Sequence, residues 1–127
     1  MKQIAPPPLH ELEAEVMDEV WARGEATVRD VQEALNARSE RARAYTTLLT
    51  VMTRLDAKGL LERRRNGRQD VYSPSMSRDR YFAARAEAEV SALVEDFGDL
   101  ALAHFARHMD RLDPERREAL RRLAAGD

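Results

Sequence analysis

YTTLLTVMTRLDAKGLLERRRNGRQDVYS, residues 45–73, is the stretch of sequence that decides the fold. Apolar side chains recur in its first half at the spacing of one helix face: Leu48, Leu49, Val51, Met52 and Leu55. We therefore predict a helix over 45–58, ended by Gly59, because a left-handed residue commonly follows a helix C-terminus. Asn66-Gly67 is a strong hairpin signal, since a type I′ turn needs positive φ at both central residues. Antiparallel strands are predicted on either side of it, at 60–65 and 68–73.

Two more helices are predicted upstream of this stretch. Apolar residues follow helical spacing from Leu9 until Gly24 closes the first helix. Thr27 is a good N-cap with Asp30 three residues on, and it begins a second helix that ends near Ala37. Three helices followed by a hairpin are the element order of a winged helix, in which helices two and three form the helix-turn-helix and the hairpin is the wing.

The rest of the chain is predicted to be helical, with helices at about 78–97, 99–112 and 114–124. The expected fold class is therefore mainly α with a small β-hairpin wing: a winged helix-turn-helix domain followed by a three-helix C-terminal dimerisation region. We expect the winged-helix DNA-binding domain at 1–76 and the helical dimerisation region at 77–127.

The polar face of helix 45–58 carries short hydroxyl side chains and one long cation: Thr46, Thr47, Thr50, Thr53 and Arg54. Threonine is a poor helix former, so four threonines on one exposed face need another explanation. Short hydroxyl and methyl groups let a helix approach base edges in a major groove, and an arginine can reach guanine or a phosphate. We interpret these five residues as base-facing. The alternative is a solvated helix face beside an incidental arginine cluster.

Charge is concentrated in the centre of the sequence. Residues 1–37 carry a net charge of −5, residues 38–80 carry +6 and residues 81–127 carry −3. This asymmetry indicates one surface for a polyanion. We expect phosphate or wing contacts from the residues that flank the threonine face: Arg41, Arg43, Tyr45, Arg63, Arg64, Arg65, Asn66 and Arg68.

Two segments resemble a known family. LEAEVMDEVWARGEATVRDVQEAL at 12–35 and AYTTLLTVMTRLDAKGLLERRRNGRQDVYSP at 44–74 are similar to the penicillinase-repressor family of BlaI, MecI and CopY type. The resemblance is strong over 9–75 and weaker to about 124. It implies a homodimeric winged-helix repressor that binds a dyad-symmetric operator in double-stranded DNA and blocks transcription.

The resemblance also implies how such repressors are released. In the β-lactamase branch, a sensor-linked protease cuts an Asn-Phe bond in the C-terminal helices, and the similar position here is His104-Phe105. Histidine replaces asparagine, so cleavage at this bond is an open hypothesis. The copper-responsive branch uses a cysteine-rich motif, and this chain has no cysteine, which excludes copper sensing of that kind.

Apolar seams run along the C-terminal helices. Their members are Val90, Leu93, Val94, Phe97, Leu102, Phe105, Met109, Leu112, Leu120 and Leu123. A C-terminal helical segment of this length seldom folds stably alone. We therefore expect it to pair with a second copy. Two-fold symmetry would then present two reading helices to adjacent major-groove segments. The alternative is that the seams close within one chain.

Composition limits the other classes of function. The 127 residues carry a net charge of −2 and no cysteine, so disulfides and thiol catalysis are excluded. We expect no cofactor, and His104 with His108 is too weak a pattern for a metal site. With no Gly-rich phosphate loop and no Ser/His/Asp arrangement, an enzyme is not expected. No membrane segment or secretory signal is recognised, which suggests a cytoplasmic protein.

The alternative function is a winged-helix adaptor that binds proteins without sequence-specific DNA binding.

Overall fold

The computed structural model describes residues 5–126, which form six helices and one two-stranded antiparallel sheet. In chain order the elements are α1 (Glu11–Arg23), α2 (Val28–Arg38), α3 (Tyr45–Ala57), β1 (Leu61–Asn66), β2 (Gln69–Pro74), α4 (Arg78–Phe97), α5 (Asp99–Asp110) and α6 (Pro114–Ala124). The predicted class, mainly α with one hairpin, is confirmed, as is the order of the elements.

The helix starts follow local capping chemistry. The Asp30 N–H donates to Thr27 Oγ1 at 3.1 Å, and the Thr27 N–H donates to Asp30 Oδ2 at 3.0 Å, so α2 begins after Thr27 as predicted. Helix α1 begins at Glu11, two residues later than predicted. The His10 N–H donates to the Glu13 carboxylate at 3.0 Å, which makes His10 the residue before the first helical one.

The hairpin differs from the prediction by one residue. Asn66 pairs with Gln69 at the end of the strands, so the two-residue loop is Gly67-Arg68 rather than Asn66-Gly67. Gly67 has a φ of +67°, and no residue other than glycine has positive φ in the described chain. Positive φ at the first loop position alone is the requirement of a type II′ turn, so the predicted type I′ turn is wrong.

The hydrophobic core lies between α1, α2, α3 and the base of the hairpin. Its largest fully buried side chains are Tyr72, Met17, Leu48, Met52, Leu55, Leu61, Val16, Val20 and Val31. Tyr72 also pairs through its backbone with Ala26, in two N–H···O bonds of 2.9 Å. The hairpin is therefore anchored at its base, and its arginine-rich outer half extends beyond the core.

The chain divides into two compact units. The first unit ends at Ala86, and the second begins at Glu87, inside α4. The start of α4 belongs to the first unit because Tyr81 is buried there, with its hydroxyl donating to the Pro7 carbonyl at 2.7 Å. In the second unit, no residue of 87–126 is buried. Among the helices of the described chain, none combines the length and apolarity that crossing a membrane requires.

Candidate nucleic-acid interface

Helix α3 has one buried face and one open face. Leu48, Met52 and Leu55 are fully buried, so they fix the rotation of the helix. The five side chains that the sequence predicts as base-facing are all exposed on the other side: Thr46, Thr47, Thr50, Thr53 and Arg54. The first unit therefore leaves this row of hydroxyl groups accessible along about two turns of helix.

Hydroxyl groups on this face differ in the hydrogen bonds they already make. Thr50 Oγ1 donates to the Thr46 carbonyl at 3.0 Å, so Thr50 offers its methyl group and its acceptor lone pairs to a ligand. For Thr46, Thr47 and Thr53, no hydroxyl hydrogen bond is found within residues 5–126. Those three can both donate and accept.

The start of α3 is held by α2. The Arg43 N–H donates to Asn36 Oδ1 at 2.7 Å, while the Asn36 and Gln32 side-chain amides both donate to the Arg43 carbonyl at 3.2 Å. Ala44, the residue before α3, has no side-chain acceptor for the first-turn N–H groups. Those N–H groups are therefore available to an anion, in addition to the side chains.

One groove joins α3 to the wing, which we define as β1, β2 and their loop. Tyr45 and Leu49 line it on the α3 side, and Arg65 and Arg68 line it on the wing side. The sequence places Leu49 on the core face, and this is wrong: the residue is 37% exposed. It lies at the edge of the apolar arc, where the helix surface turns away from α1 and toward the wing.

Cations around α3 fall into two groups. The side chains of Arg41, Arg54 and Arg68 are exposed, and within residues 5–126 they have neither an ion pair nor a hydrogen bond. The other predicted phosphate contacts are already paired with carboxylates. The pairs are Arg43–Glu15 at 3.6 Å, Arg63–Asp70 at 3.9 Å, Arg64–Glu25 at 2.8 Å and Arg65–Asp70 at 3.2 Å. Asn66 is exposed beside them on the wing, and Arg43 is half-buried.

Two buried carboxylates on α1 were not predicted. Glu13 accepts from Lys58 Nζ at 2.8 Å, at the end of α3, and Glu19 pairs with Arg23 and, at 2.9 Å, with Arg38 at the end of α2. Burial alone would raise the pKa of Glu13, but the hydrogen bonds from Lys58 and the His10 N–H outweigh it and lower the pKa. The hydrogen bond from Arg23, together with Arg38, lowers the pKa of Glu19 against the effect of burial. Both carboxylates are therefore charged and help to position the helix-turn-helix.

A sequence signal for Glu13 does exist. It follows Leu9 by four residues and precedes Val16 by three, so helical spacing places it on the apolar face of α1. A charged residue at such a position needs a partner when it is buried.

The predicted dimerisation residues lie on open helix faces of the second unit. Exposed are Val90, Leu93, Phe97, Leu102, Phe105 and Leu123, and half-buried are Val94, Met109, Leu112 and Leu120. Leu100 is 68% exposed and was not predicted. It lines an apolar cleft with Leu93, Phe97, Ala101, His104 and Phe105.

The predicted cleavage position lies inside α5. His104 and Phe105 are both exposed, but their peptide bond is helical. A protease needs an extended substrate, so cutting here would require local unfolding of α5. Cleavage at this bond stays a prediction. In the part of the chain that the structure describes, no group of three or more potential metal ligands is found.

Comparison with known proteins finds related sequences along nearly the whole chain. The family model described as penicillinase repressor matches residues 9–125. A relative from Mycobacterium tuberculosis (strain CDC 1551 / Oshkosh), "Transcriptional regulator BlaI", is 42% identical over 120 residues, which are 92% of this chain and 83% of the relative.

Two solved structures resemble about three fifths of the chain. One is the solution structure of the monomeric form of Bacillus licheniformis BlaI in complex with the blaP half-operator, with 29% identity and a TM-score of 0.50 over 60% of this chain and 90% of that one. The other is the DNA-binding domain of the repressor BlaI, with 30% identity and a TM-score of 0.52 over 64% of this chain and 94% of that one.

Proposed function

Because this chain belongs to the penicillinase-repressor family, we propose that it is a homodimeric repressor of transcription that binds a dyad-symmetric operator in double-stranded DNA. The observation that carries the proposal is the open face of α3, where a row of threonines ends in Arg54 and is flanked by Arg41 and Arg68, which have no ion pair within residues 5–126. The relative in complex with a half-operator supports the same assignment. Regulation of this kind needs no catalytic step, and we assign no catalytic residue.

Each part of the interface has a distinct role in this proposal. Helix α3 enters the major groove, where Thr46, Thr47, Thr50, Thr53 and Arg54 read base edges through hydroxyl, methyl and guanidinium groups. The flanking cations and the uncapped first turn of α3 bind phosphates and fix the register of the protein on the duplex. We assign DNA binding to residues 1–76.

Dimerisation is assigned to residues 77–127. The apolar side chains of α4, α5 and α6 remain exposed in a single chain, and a second copy can bury them. A dimer also matches the two halves of a palindromic operator, since its two-fold axis relates two copies of α3.

A test of sequence reading starts with DNA selected from a random library by the full-length protein. We expect the enriched duplex to bind more tightly than a scrambled duplex of the same composition. Combined substitution Thr46→Ala, Thr50→Ala, Arg54→Ala should weaken binding to the enriched duplex by at least about tenfold, because a good base contact contributes roughly 1–3 kcal/mol. The measurement is fluorescence anisotropy at fixed salt.

The matched control is Arg80→Ala, which removes an exposed cation of α4, an element outside α3 and the wing. It should leave the preference for the enriched duplex unchanged. Equal affinity of the unsubstituted protein for enriched and scrambled DNA would contradict the proposal, and so would equal binding by the triple variant.

A further inference from the structure

Carboxylates of the same molecule occupy most of the wing arginines. Asp70 lies directly opposite Arg65 in the strand register, and Arg63 is on the same face two residues along β1. Asp70 Oδ1 is 3.2 Å from Arg65 Nη1, and Asp70 Oδ2 is 3.9 Å from Arg63 Nη1. Each carboxylate oxygen therefore faces one guanidinium, and a single anion holds two cations.

We propose that Asp70 limits the affinity of this protein for DNA by competing with phosphate for Arg63 and Arg65. The inference rests on the proposed function and deepens it. A guanidinium binds carboxylate and phosphate oxygens with the same planar set of donors, so an intramolecular carboxylate is a direct competitor. A phosphate that approaches these arginines also meets the negative charge of Asp70. Among the described residues no carboxylate pairs with Arg68, so this wing arginine binds phosphate without such competition.

Asp70 is better placed to compete than the other carboxylate near the wing. Its side chain is 27% exposed, so its position is restricted by its surroundings, whereas Arg63 and Arg65 are 51% and 67% exposed. Glu25 reaches Arg64 at 2.8 Å, but both partners are 57% exposed and belong to segments that are distant in sequence. Ion pairs in which both partners are more than half exposed are weak. We therefore expect a smaller effect from Glu25 than from Asp70.

The wing also offers a matched control for charge alone. Glu62 is exposed on the opposite face of β1, opposite Ser73, and within residues 5–126 no ion pair is found for it. Glu62→Gln removes one negative charge from the same hairpin as Asp70→Asn without releasing an arginine. The difference between these two variants isolates the competition from the change in net charge.

The experiment measures binding of the full-length protein to a duplex of arbitrary sequence and to the enriched duplex, as a function of salt. Asp70→Asn should tighten binding to both duplexes by roughly threefold to tenfold, as expected from freeing two exposed pairs. The slope of log affinity against log salt should steepen by about one to two, because more phosphates are neutralised. Glu25→Gln should have a smaller effect, and Glu62→Gln the smallest.

A second background makes the result decisive. In a protein that already carries Arg63→Ala and Arg65→Ala, adding Asp70→Asn should change affinity no more than Glu62→Gln does, because no arginine remains to be released. A gain that persists in this background would overturn the proposal. So would equal gains from Asp70→Asn and Glu62→Gln, or weaker binding by Asp70→Asn, which would mean that Asp70 orients the arginines for phosphate.

Failure of the proposed function gives a different result. If the unsubstituted protein binds neither duplex at low salt, DNA binding itself is contradicted, and the wing inference falls with it. If the unsubstituted protein binds and the variants lack the expected order, only the role of Asp70 is overturned. Thermal unfolding of each variant confirms that the hairpin substitutions leave the fold intact.

Discussion

Glu13 carries a negative charge into the interior of the first unit, where it is 2% exposed. Isolating a carboxylate from water is costly, and only partners with good geometry offset the cost. Lys58 and the backbone N–H of His10 supply them, so the side chain links the start of α1 to the end of α3. One residue therefore fixes the orientation of α3 relative to α1.

Acid should therefore destabilise the first unit. The folded-state pKa values of Glu13 and Glu19 lie below the ordinary value of 4.5, so both contribute stability above pH 4.5 and lose it as pH falls through the folded values. Glu13→Gln should lower the free energy of unfolding by about 1–3 kcal/mol at pH 7. Its deficit relative to the unsubstituted protein should shrink below about pH 4. Urea unfolding of both proteins at pH 7 and below about pH 4 measures this difference in the free energy of unfolding.

Glu11→Gln is the control for the preceding change, since Glu11 is exposed in the first turn of the same helix. This variant should lower the free energy of unfolding at pH 7 far less than Glu13→Gln does. A Glu13→Gln deficit of the same size at both pH values would contradict the role of the charged pair.

Residue roles on α3 could be predicted where periodicity alone decides them. Helical spacing separates the buried Leu48 from the exposed Thr50, and the structure agrees. The partners of Glu13 could not be predicted, because Lys58 lies 45 residues away and only the packing of α1 against α3 brings them together. Leu49, at the edge of the apolar arc, was misplaced since its exposure depends on the position of the wing.

The strand register of the hairpin depends on how its two strands pair. In the predicted register, Arg65 would lie opposite Arg68, and like charges directly opposite each other destabilise a strand pair. In the observed register, Arg65 lies opposite Asp70, and Asn66 joins the strand. A two-residue loop with glycine was predictable from the sequence, but its exact position was not, because both alternatives satisfy Gly67. Cross-strand charge pairing favours the one observed.

The loop before α3 depends on Asn36 in the same way. Its side chain accepts from the Arg43 N–H and donates to the Arg43 carbonyl, so it acts on both polar groups of that residue. Asn36→Ala should lower the free energy of unfolding by about 1–2 kcal/mol, since two hydrogen bonds are lost. It should also weaken DNA binding severalfold, because the start of α3 is no longer fixed. Urea unfolding and anisotropy titration measure the two effects.

Two other variants grade this effect. Gln32→Ala removes only one bond to the Arg43 carbonyl, and Asn36→Asp keeps the acceptor for the N–H while losing the donor. For both variants, the free energy of unfolding and the affinity for DNA should lie between the values of the unsubstituted protein and those of Asn36→Ala. If Asn36→Ala binds DNA with full affinity, then the loop does not need this contact.

On the scale of the whole molecule, the two units are built differently. The first has a continuous core around fully buried side chains such as Tyr72 and Leu48, whereas residues 87–126 contain no buried side chain. The apolar seams of α4 and α5 were predictable from helical periodicity. Leu100 was missed because it lies off those seams, and its exposure depends on how α5 follows α4. Which surface packs against these seams depends on the assembly, and the pattern of one sequence does not specify it.

Dimerisation through these seams predicts a specific assembly defect. Leu93→Glu places a charge on the apolar face of α4, which a second copy would bury, so the variant should be monomeric at concentrations where the unsubstituted protein is dimeric. Ser91→Glu adds the same charge on the polar side of that helix and should remain dimeric. Sedimentation velocity distinguishes the two. A Leu93→Glu dimer of unchanged affinity would place the interface elsewhere.

Because no residue of 87–126 is fully buried within a single chain, we expect the folding and the assembly of these helices to be one event. Mass action then links copy number to structural integrity: a scarce chain spends more of its time with loosened terminal helices, and an abundant one completes them. Dilution then lowers operator occupancy in two ways. It separates the two copies of α3, and it exposes the loosened helices to proteolysis. The level of the protein itself would thereby become a regulatory variable.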